Sequence, residues 1–413
     1  MTRSQPVHPP VEERILFLYV FPKGGHKECA DAVRSALGAL PGRGVITAGI
    51  DAITSLYPIL GPLIAKTYLE LIRYTPQIWD FLYDNPDVEE LTREIRQLFN
   101  LFNAPKLKSL IAEFRPSAFV CTHAIPCGVI AEQKKRGNCR LPLIGVVTDY
   151  DVHRYWAYPE VDLYIVANEE SKRTLVSRGV QEERVQVRGI PVDPSFARRT
   201  DRRTAREKLG FDPDRPLVLL MGGSRGLGPI AETVAGILSL RPAPQIAVAA
   251  GTNESLEREL RQWGEDRVRV WGHTGAIAEL MDAADFTITK PGGITTTECL
   301  AKGLPIVILN PIPGQEERNA RILIKNGLAI AAKDTGEAVS ITGILLNDPE
   351  KLSGLSRRAL AGSNPRSAES AARAILELLE QPGRRSESNR DAPDSWPGNG
   401  SSETPSPGLT LHA

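Results

Sequence analysis

Residues 286–319 contain two short apolar runs, each of which leads into a glycine-containing turn and then into helix-like spacing. The first run, residues 286–289, is followed by K-P-G-G, and the second, residues 305–310, is followed by P-G-Q-E a few positions later. Ligands of open α/β sheets bind at the carboxyl ends of parallel strands. The pattern therefore predicts that both turns lie at one edge of a parallel sheet and bind the same ligand.

The first of these turns has the features of an anion site. Gly292 and Gly293 precede a helical stretch, where free backbone amides and the helix dipole favour negative charge. Glu298 falls one turn into that helix, where a carboxylate can accept both hydroxyls of a ribose. The alternative is an ordinary strand-to-helix turn with capping residues.

The same strand-and-helix alternation runs from residue 15 to residue 331 and predicts doubly wound parallel sheets, so the fold class is α/β. A chain of 413 residues exceeds the usual limit of one core, which favours two domains. We expect a first domain at residues 12–192, a polar linker at residues 193–211 and a second domain at residues 212–365. A helix at residues 366–381 and a disordered tail at residues 382–413 follow.

Composition excludes several classes of protein. Lys and Arg total 50 against 50 Asp and Glu, which argues against a nucleic-acid binder driven by net charge. The five cysteines are scattered and odd in number, so we expect buried thiols in a reducing compartment. The sequence contains no run of about 20 apolar residues, the length that would predict a membrane span, and no signal peptide is visible at the start.

A second glycine-rich loop, M-G-G-S-R-G-L-G-P at residues 221–229, follows an apolar run and precedes a helical stretch. Its four glycines allow the backbone to approach a pyrophosphate closely, although plain turn chemistry is an alternative. The spacing is not G-x-G-x-x-G, and no G-x-x-x-x-G-K-[ST] occurs, which disfavours a nicotinamide dinucleotide site and P-loop ATP hydrolysis.

The first half carries candidates for acid–base chemistry. His26 follows two glycines at the end of the first strand and could take a proton from an attacking hydroxyl, or could be a structural histidine at a helix start. Asp149, at the end of another strand, could orient or deprotonate a hydroxyl group of a substrate, and Trp156 could stack on that substrate. Thr122 and His123 also end a strand, and we expect them to line the cleft. Asp149-Tyr150-Asp151 spells D-x-D, but its context differs from that of a metal site, and we predict no metal.

These motifs resemble a known family. K-P-G-G-I-T-T-T-E followed by P-G-Q-E-x-x-N-A is similar to the donor half of glycosyltransferase family 28, above all its diacylglycerol glycosyltransferases of the monogalactosyldiacylglycerol synthase and processive diacylglycerol glucosyltransferase types. G-G-H at residues 24–26 and T-D-x-x-x-H-x-x-W at residues 148–156 match as well, whereas F-P-K before the first motif departs from the family pattern. The resemblance implies the GT-B architecture, in which two Rossmann-like domains face each other across a cleft and the last helix packs back on the first domain. In this architecture the first domain is the acceptor domain, which binds the lipid, and the second is the donor domain, which binds the UDP-sugar.

The resemblance also implies an activity, the inverting transfer of a hexose, glucose or galactose, from a UDP-sugar to diacylglycerol, without a cofactor or a metal. In this interpretation the diphosphate, uracil, ribose and sugar hydroxyls are bound by Gly223, Ser224, Arg225, Gly226, His273, Lys290, Gly292, Gly293, Thr295, Glu298, Gln315, Glu316 and Asn319. A helix cap is the alternative role for His273. The acceptor is bound by Gly24, Gly25, His153 and Trp156, and the catalytic residues are His26 and Asp149.

The segment from Ile50 to Tyr83 is rich in aromatic and apolar residues but is interrupted by prolines. The residues alone slightly favour a helical hairpin packed on the domain, and the resemblance favours an interfacial patch that binds the membrane. We therefore expect a cytoplasmic enzyme, peripheral on the inner face of the membrane. The arginines of residues 198–206 indicate a solvated hinge, with contact to anionic lipid as the alternative.

Two other functions remain open at this stage. The acceptor could be polyprenyl-linked, as for a muramyl-peptide transferase, although such a transferase lacks the segment at residues 50–83. The chain could also be an inactive nucleotide-sugar-binding protein, against which the presence of His26, Glu298 and Gln315 counts. The sequence does not distinguish glucose from galactose, or single from processive transfer.

Overall fold

The computed structural model describes residues 13–21, 24–41, 44–52, 109, 111–381 and the backbone of 410–412. These residues form two α/β domains, each built on a parallel sheet. The part of the predicted apolar segment that follows Ala52 lies outside the described residues. The same holds for Lys23 and for most of the expected tail.

The first domain contains a sheet in the order β2-β1-β3-β4-β5-β6. Its strands are β1 (Glu13–Tyr19), β2 (Val45–Asp51), β3 (Ala118–Cys121), β4 (Leu143–Val146), β5 (Leu163–Val166) and β6 (Val185–Val187). Its helices, labelled by order among the described elements, are α1 (Gly25–Ala39), α2 (Ala124–Lys135) and α3 (Glu169–Ser177). The central strands are apolar throughout and fully buried, as expected of a parallel sheet covered on both faces.

The second domain contains a sheet in the order β12-β11-β10-β7-β8-β9. Its strands are β7 (Leu217–Met221), β8 (Gln245–Gly251), β9 (Val268–Gly272), β10 (Phe286–Thr289), β11 (Ile306–Leu309) and β12 (Ala329–Ala332). The helices that follow the first domain are α4 (Arg202–Lys208), α5 (Ile230–Leu238), α6 (Glu254–Gln262), α7 (Ile277–Ala283), α8 (Gly293–Lys302), α9 (Gln315–Lys325), α10 (Thr335–Leu346), α11 (Pro349–Ala361) and α12 (Ser367–Glu380).

Strand order places the candidate residues at the two switch points, where neighbouring strands lead to opposite faces of the sheet. In the first sheet this point lies between β1 and β3, which lead to His26 and His123. In the second it lies between β7 and β10, which lead to the loop at residues 222–226 and to Lys290. Because ligands of such sheets bind at switch points, the two domains present their binding edges to a shared cleft.

The structure differs from the sequence expectations at three places. Ile50 and Asp51 end strand β2, which pairs in register with β1, so the sheet continues to the first residues assigned to the apolar segment. The expected linker contains helix α4, which the Asp201 side chain caps and whose Arg206 pairs with Asp285 at 2.6 Å. This part of the linker therefore belongs to the second domain.

The third difference concerns the tail. Residues 410–412 form a short strand, β13 (Thr410–His412), that pairs antiparallel with β2 at the edge of the first sheet. The expectation of disorder is wrong for these residues. An edge strand offers unpaired backbone groups, which a terminal segment of the chain can satisfy.

Helix α12 packs against α1, and its buried face consists of small and aliphatic residues, among them Ala371, Ala372 and Ile375. The last helix of the described residues therefore returns from the second domain to the first. The five cysteines are all buried, and none forms a disulfide. Among the described helices, none is both long and apolar enough to cross a membrane.

Candidate active site

The cleft between the domains contains two adjoining cavities. The larger cavity, of about 430 Å³, lies at the ends of β7 and β9 and against α8. The smaller cavity, of about 340 Å³, lies between the start of α1, the end of β4 and the start of α9. Both are lined by Glu28, Gly223, Ser224, Ile294 and Thr295, so the two cavities form one continuous site.

The glycine-rich loop after β7 contributes two of its four predicted residues to this site. Gly223 and Ser224 line both cavities, and Gly223 has a φ of 68°, which favours glycine. Arg225 and Gly226 line neither cavity, which differs from the sequence expectation. The Arg225 side chain is exposed. Gly226 donates its N–H to the Gly223 carbonyl at 3.0 Å and so closes the turn that shapes the loop.

The turn before α8 places a cation and a helix start at the smaller cavity. Lys290, Gly292, Gly293 and Thr295 all line it, and the free amides of the first turn of α8 point to the same end of the helix. Lys290 forms an ion pair with Glu316, whose second oxygen accepts the N–H of Ile312 at 2.9 Å. Glu316 is therefore already held by two protein groups, which leaves it less free for sugar hydroxyls than the sequence predicts.

Gln315 has a polar atom available for a ligand. Its Nε2 donates to the Asp151 carbonyl at 3.0 Å, whereas its Oε1 is buried and has no hydrogen-bond partner among the described residues. Gln315 also lines the smaller cavity. Since buried acceptors are rarely left without a donor, the Oε1 atom is suited to a hydroxyl of a bound sugar.

Acidic residues surround one end of the larger cavity. Glu298 lines it together with His273, and burial raises the pKa of Glu298, with further contributions from Glu28 and Asp193. Glu28 and Asp193 belong to the first half of the chain and line the same cavity. The site therefore contains several carboxyl groups that compete for protons, which favours a ligand with hydroxyl donors.

His26 is held in one tautomer by the ends of β3 and β4. Its Nδ1 lies 2.8 Å from the Thr122 carbonyl oxygen and 3.1 Å from Thr148 Oγ1. Because a carbonyl oxygen only accepts, Nδ1 carries the proton and Nε2 carries the lone pair. Thr122 Oγ1 also donates to the His26 carbonyl at 2.7 Å. Burial lowers the pKa of His26 to about 4, so the ring is neutral at pH 7.

Asp149 also lines the smaller cavity, together with His26. Burial raises its pKa to about 6, and the hydrogen bond from Asn319 opposes this shift. Asn319, predicted to bind the donor, lines neither cavity and is completely buried. Its Nδ2 donates to Asp149 Oδ1 at 2.9 Å and its Oδ1 accepts the N–H of Tyr150 at 2.9 Å, so protein groups occupy the position that the sequence assigned to a sugar.

The predicted acceptor residues divide into two groups. Gly25 and His153 line the smaller cavity, and burial lowers the pKa of His153 to about 3. Gly24, the N-cap residue of α1, lines neither cavity. Trp156 touches the smaller cavity but is only 2% exposed, since its ring packs into the core of the first domain. It therefore lacks the open face needed for the predicted stacking.

Sequence reasoning missed Glu28 and Asp193. Both lie at ends of elements next to motifs that were recognised, Glu28 two residues after His26 and Asp193 after R-G-I-P-V. The strand-end rule alone does not identify them, because their position in the larger cavity depends on how the two domains meet. His123 and Thr148, in contrast, line the smaller cavity directly after strands, as the rule predicts.

Among the described residues, no group of three or more His, Cys, Asp or Glu is arranged to hold a metal ion. Asp149 and Asp151 of the D-x-D triplet therefore belong to no such group; Asn319 donates to Asp149, and Arg318 forms an ion pair with Asp151. The metal-free chemistry expected from the sequence remains a prediction.

Comparison with known proteins gives two family matches. Residues 26–192 match the model of monogalactosyldiacylglycerol (MGDG) synthase, and residues 217–343 match that of the glycosyltransferase family 28 C-terminal domain. A processive diacylglycerol beta-glucosyltransferase from Bacillus mycoides is 30% identical over 344 residues, which cover 82% of this chain and 87% of the relative. One from Staphylococcus carnosus is 29% identical over 333 residues, covering 79% and 83%.

Solved structures share the architecture at lower identity. Anabaena HepE in complex with UDP-glucose is 17% identical and aligns with a TM-score of 0.54, over 89% of this chain and all of the other. MurG from Acinetobacter baumannii is 15% identical, with a TM-score of 0.56 over 88% and 99% of the two chains. These likenesses confirm the predicted GT-B fold.

Proposed function

We propose, since this chain belongs to the family of the processive diacylglycerol beta-glucosyltransferases within glycosyltransferase family 28, that it transfers a hexose from a UDP-sugar to diacylglycerol and so makes a membrane glycolipid. The observation that carries the proposal is the content of the smaller cavity. A neutral histidine with a lone pair on Nε2, a carboxylate and an unsatisfied amide oxygen line it together, beside a lysine and a helix start.

The donor spans both cavities. The nucleoside occupies the larger cavity, where Glu298 binds the ribose hydroxyls and the residues around His273 lie against the base. The diphosphate lies beside Gly223 and Ser224, which both cavities share, and the hexose extends to Gln315 in the smaller cavity. Lys290 and the amides at the start of α8 neutralise the diphosphate without a metal or a cofactor.

The transfer is a single displacement with inversion. The acceptor hydroxyl oxygen forms a bond to the anomeric carbon while the bond from that carbon to the diphosphate oxygen breaks, and UDP leaves. His26 Nε2 takes the hydroxyl proton, and Asp149 orients the hydroxyl. A bound diphosphate raises the pKa of His26 from its low value, because a nearby anion favours the imidazolium. His26 is therefore a stronger base when the donor is bound.

The enzyme acts as a peripheral protein at the cytoplasmic face of the membrane, because diacylglycerol stays in the bilayer. The smaller cavity includes the acceptor-domain residues His26, Asp149 and His153, so this domain has to approach the lipid surface. The apolar segment after β2 is suited to that contact by its composition.

The experiment is transfer of radiolabelled hexose from UDP-glucose and, separately, UDP-galactose to vesicles that contain diacylglycerol. Chromatography of the extracted lipid should show a labelled glycolipid with one of the two donors, in the β configuration. Vesicles with a polyprenyl-linked acceptor serve as the comparison, and label in that lipid alone would overturn the assignment of the acceptor. Binding of UDP without transfer to either lipid would indicate a nucleotide-sugar-binding protein.

A further inference from the structure

Asn319 connects the two domains at the active site. It lies on α9 of the second domain, and its side chain has no solvent exposure. Its Nδ2 donates to Asp149 Oδ1 at 2.9 Å and to the Pro291 carbonyl at 3.2 Å, while its Oδ1 accepts the backbone N–H of Tyr150 at 2.9 Å. One side chain therefore uses both amide hydrogens and its oxygen at the domain boundary.

The hydrogen bonds around Asn319 also cross between the domains. Tyr150 Oη lies 2.8 Å from Thr297 Oγ1 on α8, and Gln315 Nε2 donates to the Asp151 carbonyl at 3.0 Å. The first turn of α8 is so close to β4 that a Cβ at Gly293 would overlap the Thr148 carbonyl oxygen. The loop after β4 is therefore held by the starts of α8 and α9.

We infer that Asn319 is a positioning residue for Asp149, through which the donor domain holds the catalytic carboxylate of the acceptor domain. The inference rests on the proposed function, in which Asp149 orients the acceptor hydroxyl. It implies that the pair of His26 and Asp149 is complete only when the domains are in contact. Transfer is then restricted to the closed arrangement that also encloses the donor.

The geometry supports a positioning role rather than a ligand role. An amide donor on one carboxylate oxygen fixes the rotation of the Asp149 carboxyl group. Asn319 has no free N–H for a sugar hydroxyl, because both hydrogens point to protein oxygens. Its neighbour one turn earlier, Gln315, has the unsatisfied oxygen instead. Residues four apart share a helix face, so donor binding at Gln315 and carboxylate positioning at Asn319 are coupled through α9.

The charge around Asp149 favours an amide over a carboxylate at position 319. The pKa of Asp149 is raised to about 6, mainly by burial; the hydrogen bonds of Asn319 and Gln315 oppose this rise, and the nearby Glu316 and Asp151 add to it. The other titratable or charged groups that line this cavity or flank the loop are His26, Glu28, His123, His153, Lys290 and Arg318. Removal of the Asn319 donor should therefore raise the pKa of Asp149 and reduce the carboxylate fraction at neutral pH.

Two substitutions test the inference in the full-length protein. Asn319→Ala removes all three hydrogen bonds, and Asn319→Asp keeps an acceptor for Tyr150 but replaces the donor with an acidic oxygen. Both should lower kcat on the order of 10- to 100-fold and change the Kd for UDP by less than about 2-fold. Both should also shift the acidic limb of the kcat/KM profile to higher pH, and Asn319→Asp should shift it more. Asn326→Ala, at the C-cap of the same helix, where the side chain donates to the Ile322 carbonyl within its own domain, is the matched control.

A double-mutant cycle separates positioning from a general effect on folding. In an Asp149→Ala background the effect of Asn319→Ala on kcat should disappear, because the group it positions is absent. An equal loss in both backgrounds would overturn the inference, and so would a loss of UDP affinity that matches the loss of kcat, since the latter indicates that Asn319 binds the donor. If Asn319→Ala does not fold, as judged by thermal unfolding, Asn319→Asp carries the same comparison.

A readout that does not need turnover keeps this inference separate from the proposed function. The Asp149 carboxyl is titrated by carbon-13 NMR, with Asp149→Asn for assignment, and its pKa should be higher in both Asn319 variants than in the wild type. An unchanged pKa overturns the inference whether or not the protein transfers hexose. A wild-type protein that transfers no hexose overturns the proposed function, while the titration still decides the hydrogen bond.

Discussion

At the scale of single residues, Glu298 lines the larger cavity and is the residue that we propose for recognition of the ribose. Its carboxyl group lies on the first turns of α8 and has a raised pKa because of burial and the nearby Glu28 and Asp193. In the proposed complex, the two ribose hydroxyls donate hydrogen bonds to this carboxyl group. This makes Glu298 the residue whose removal should affect nucleotide binding most directly.

Glu298→Ala should weaken UDP binding by about 1.5–3 kcal/mol, since two hydroxyls lose their carboxyl acceptor. Calorimetric titration with UDP measures the change, which corresponds to roughly a 10- to 150-fold higher Kd. Glu259→Ala, an exposed residue on α6 that lines neither cavity, should leave the Kd unchanged. Equal affinities of the Glu298 variant and the wild type would remove Glu298 from the site.

His26→Ala should reduce kcat by about 10²- to 10⁴-fold, the usual contribution of a general base. UDP affinity should stay within about 2-fold, because none of the nucleotide contacts in the larger cavity involves this ring. Single-turnover kinetics and calorimetry on the same sample give the two values. A parallel loss of UDP affinity and turnover would instead indicate that Thr122 and His26 maintain the fold of the first domain.

The two pKa values at the smaller cavity predict the pH dependence of kcat/KM. In the proposed mechanism, both His26 and Asp149 act in their deprotonated forms, and their pKa values are about 4 and about 6. The rate should therefore be constant at neutral pH, fall as the pH decreases through about 6 when Asp149 gains a proton, and fall more steeply near 4. In Asp149→Asn the limb near 6 should be absent. Persistence of that limb in the variant would assign it to another group.

At the scale of secondary-structure elements, helix α8 determines how closely the domains approach. Its first residue, Gly293, lies against the Thr148 carbonyl oxygen and 3.3 Å, as measured from an added Cβ, from Asp149 Cα. No side chain fits there without movement of a helix or a strand end. The requirement for glycine thus comes from close packing rather than from backbone conformation, because Gly293 is helical.

Gly293→Ala should separate α8 from β4 and lower kcat by at least about 10-fold, with an overpacking cost of about 1–3 kcal/mol in the free energy of unfolding. Gly38→Ala on α1 is the control, because an added Cβ meets nothing within 4 Å there. That substitution should instead stabilise the helix by about 0.5–1 kcal/mol. Kinetic assays and thermal unfolding distinguish the two, and similar results for both glycines would contradict the close contact.

At the scale of the whole molecule, the chain connects its domains twice. The segment before α4 leads into the second domain, and α12 returns to pack on α1. Four apolar residues in the second half of α12, Ile375, Leu376, Leu378 and Leu379, are almost fully buried. The first domain therefore depends for its core on residues from the end of the described chain.

Two truncations should have opposite outcomes. Removal of residues 382–413 takes away the short edge strand β13 and should leave activity nearly unchanged, with a small change in melting temperature. Removal of residues 367–413 also deletes α12, and four buried side chains at about 1.5–3 kcal/mol each are comparable to the whole stability of a domain. That protein should fail to give a cooperative unfolding transition. A large loss of stability in the shorter truncation would show that β13 contributes more than an edge strand should.

The sequence by itself determined the local units of this protein. Apolar runs and glycine turns identify β10 and its helix, and the same rule places His26, Asp149 and Glu298 at strand ends or helix starts, because these signals depend only on neighbouring residues. The family and the GT-B fold also followed from such motifs. Strand β2 escaped this reasoning, since its run merges with the apolar segment that follows it.

Only the tertiary structure decided which of these residues line the cavities. Asn319 and Asp149 are 170 positions apart, and their hydrogen bond depends on the contact between the domains. Gln315 and Glu316 are adjacent in one motif, yet Lys290 pairs with Glu316 and leaves the oxygen of Gln315 unsatisfied. A motif specifies the type of side chain at a turn, whereas the partner that each side chain meets is determined by packing between distant segments.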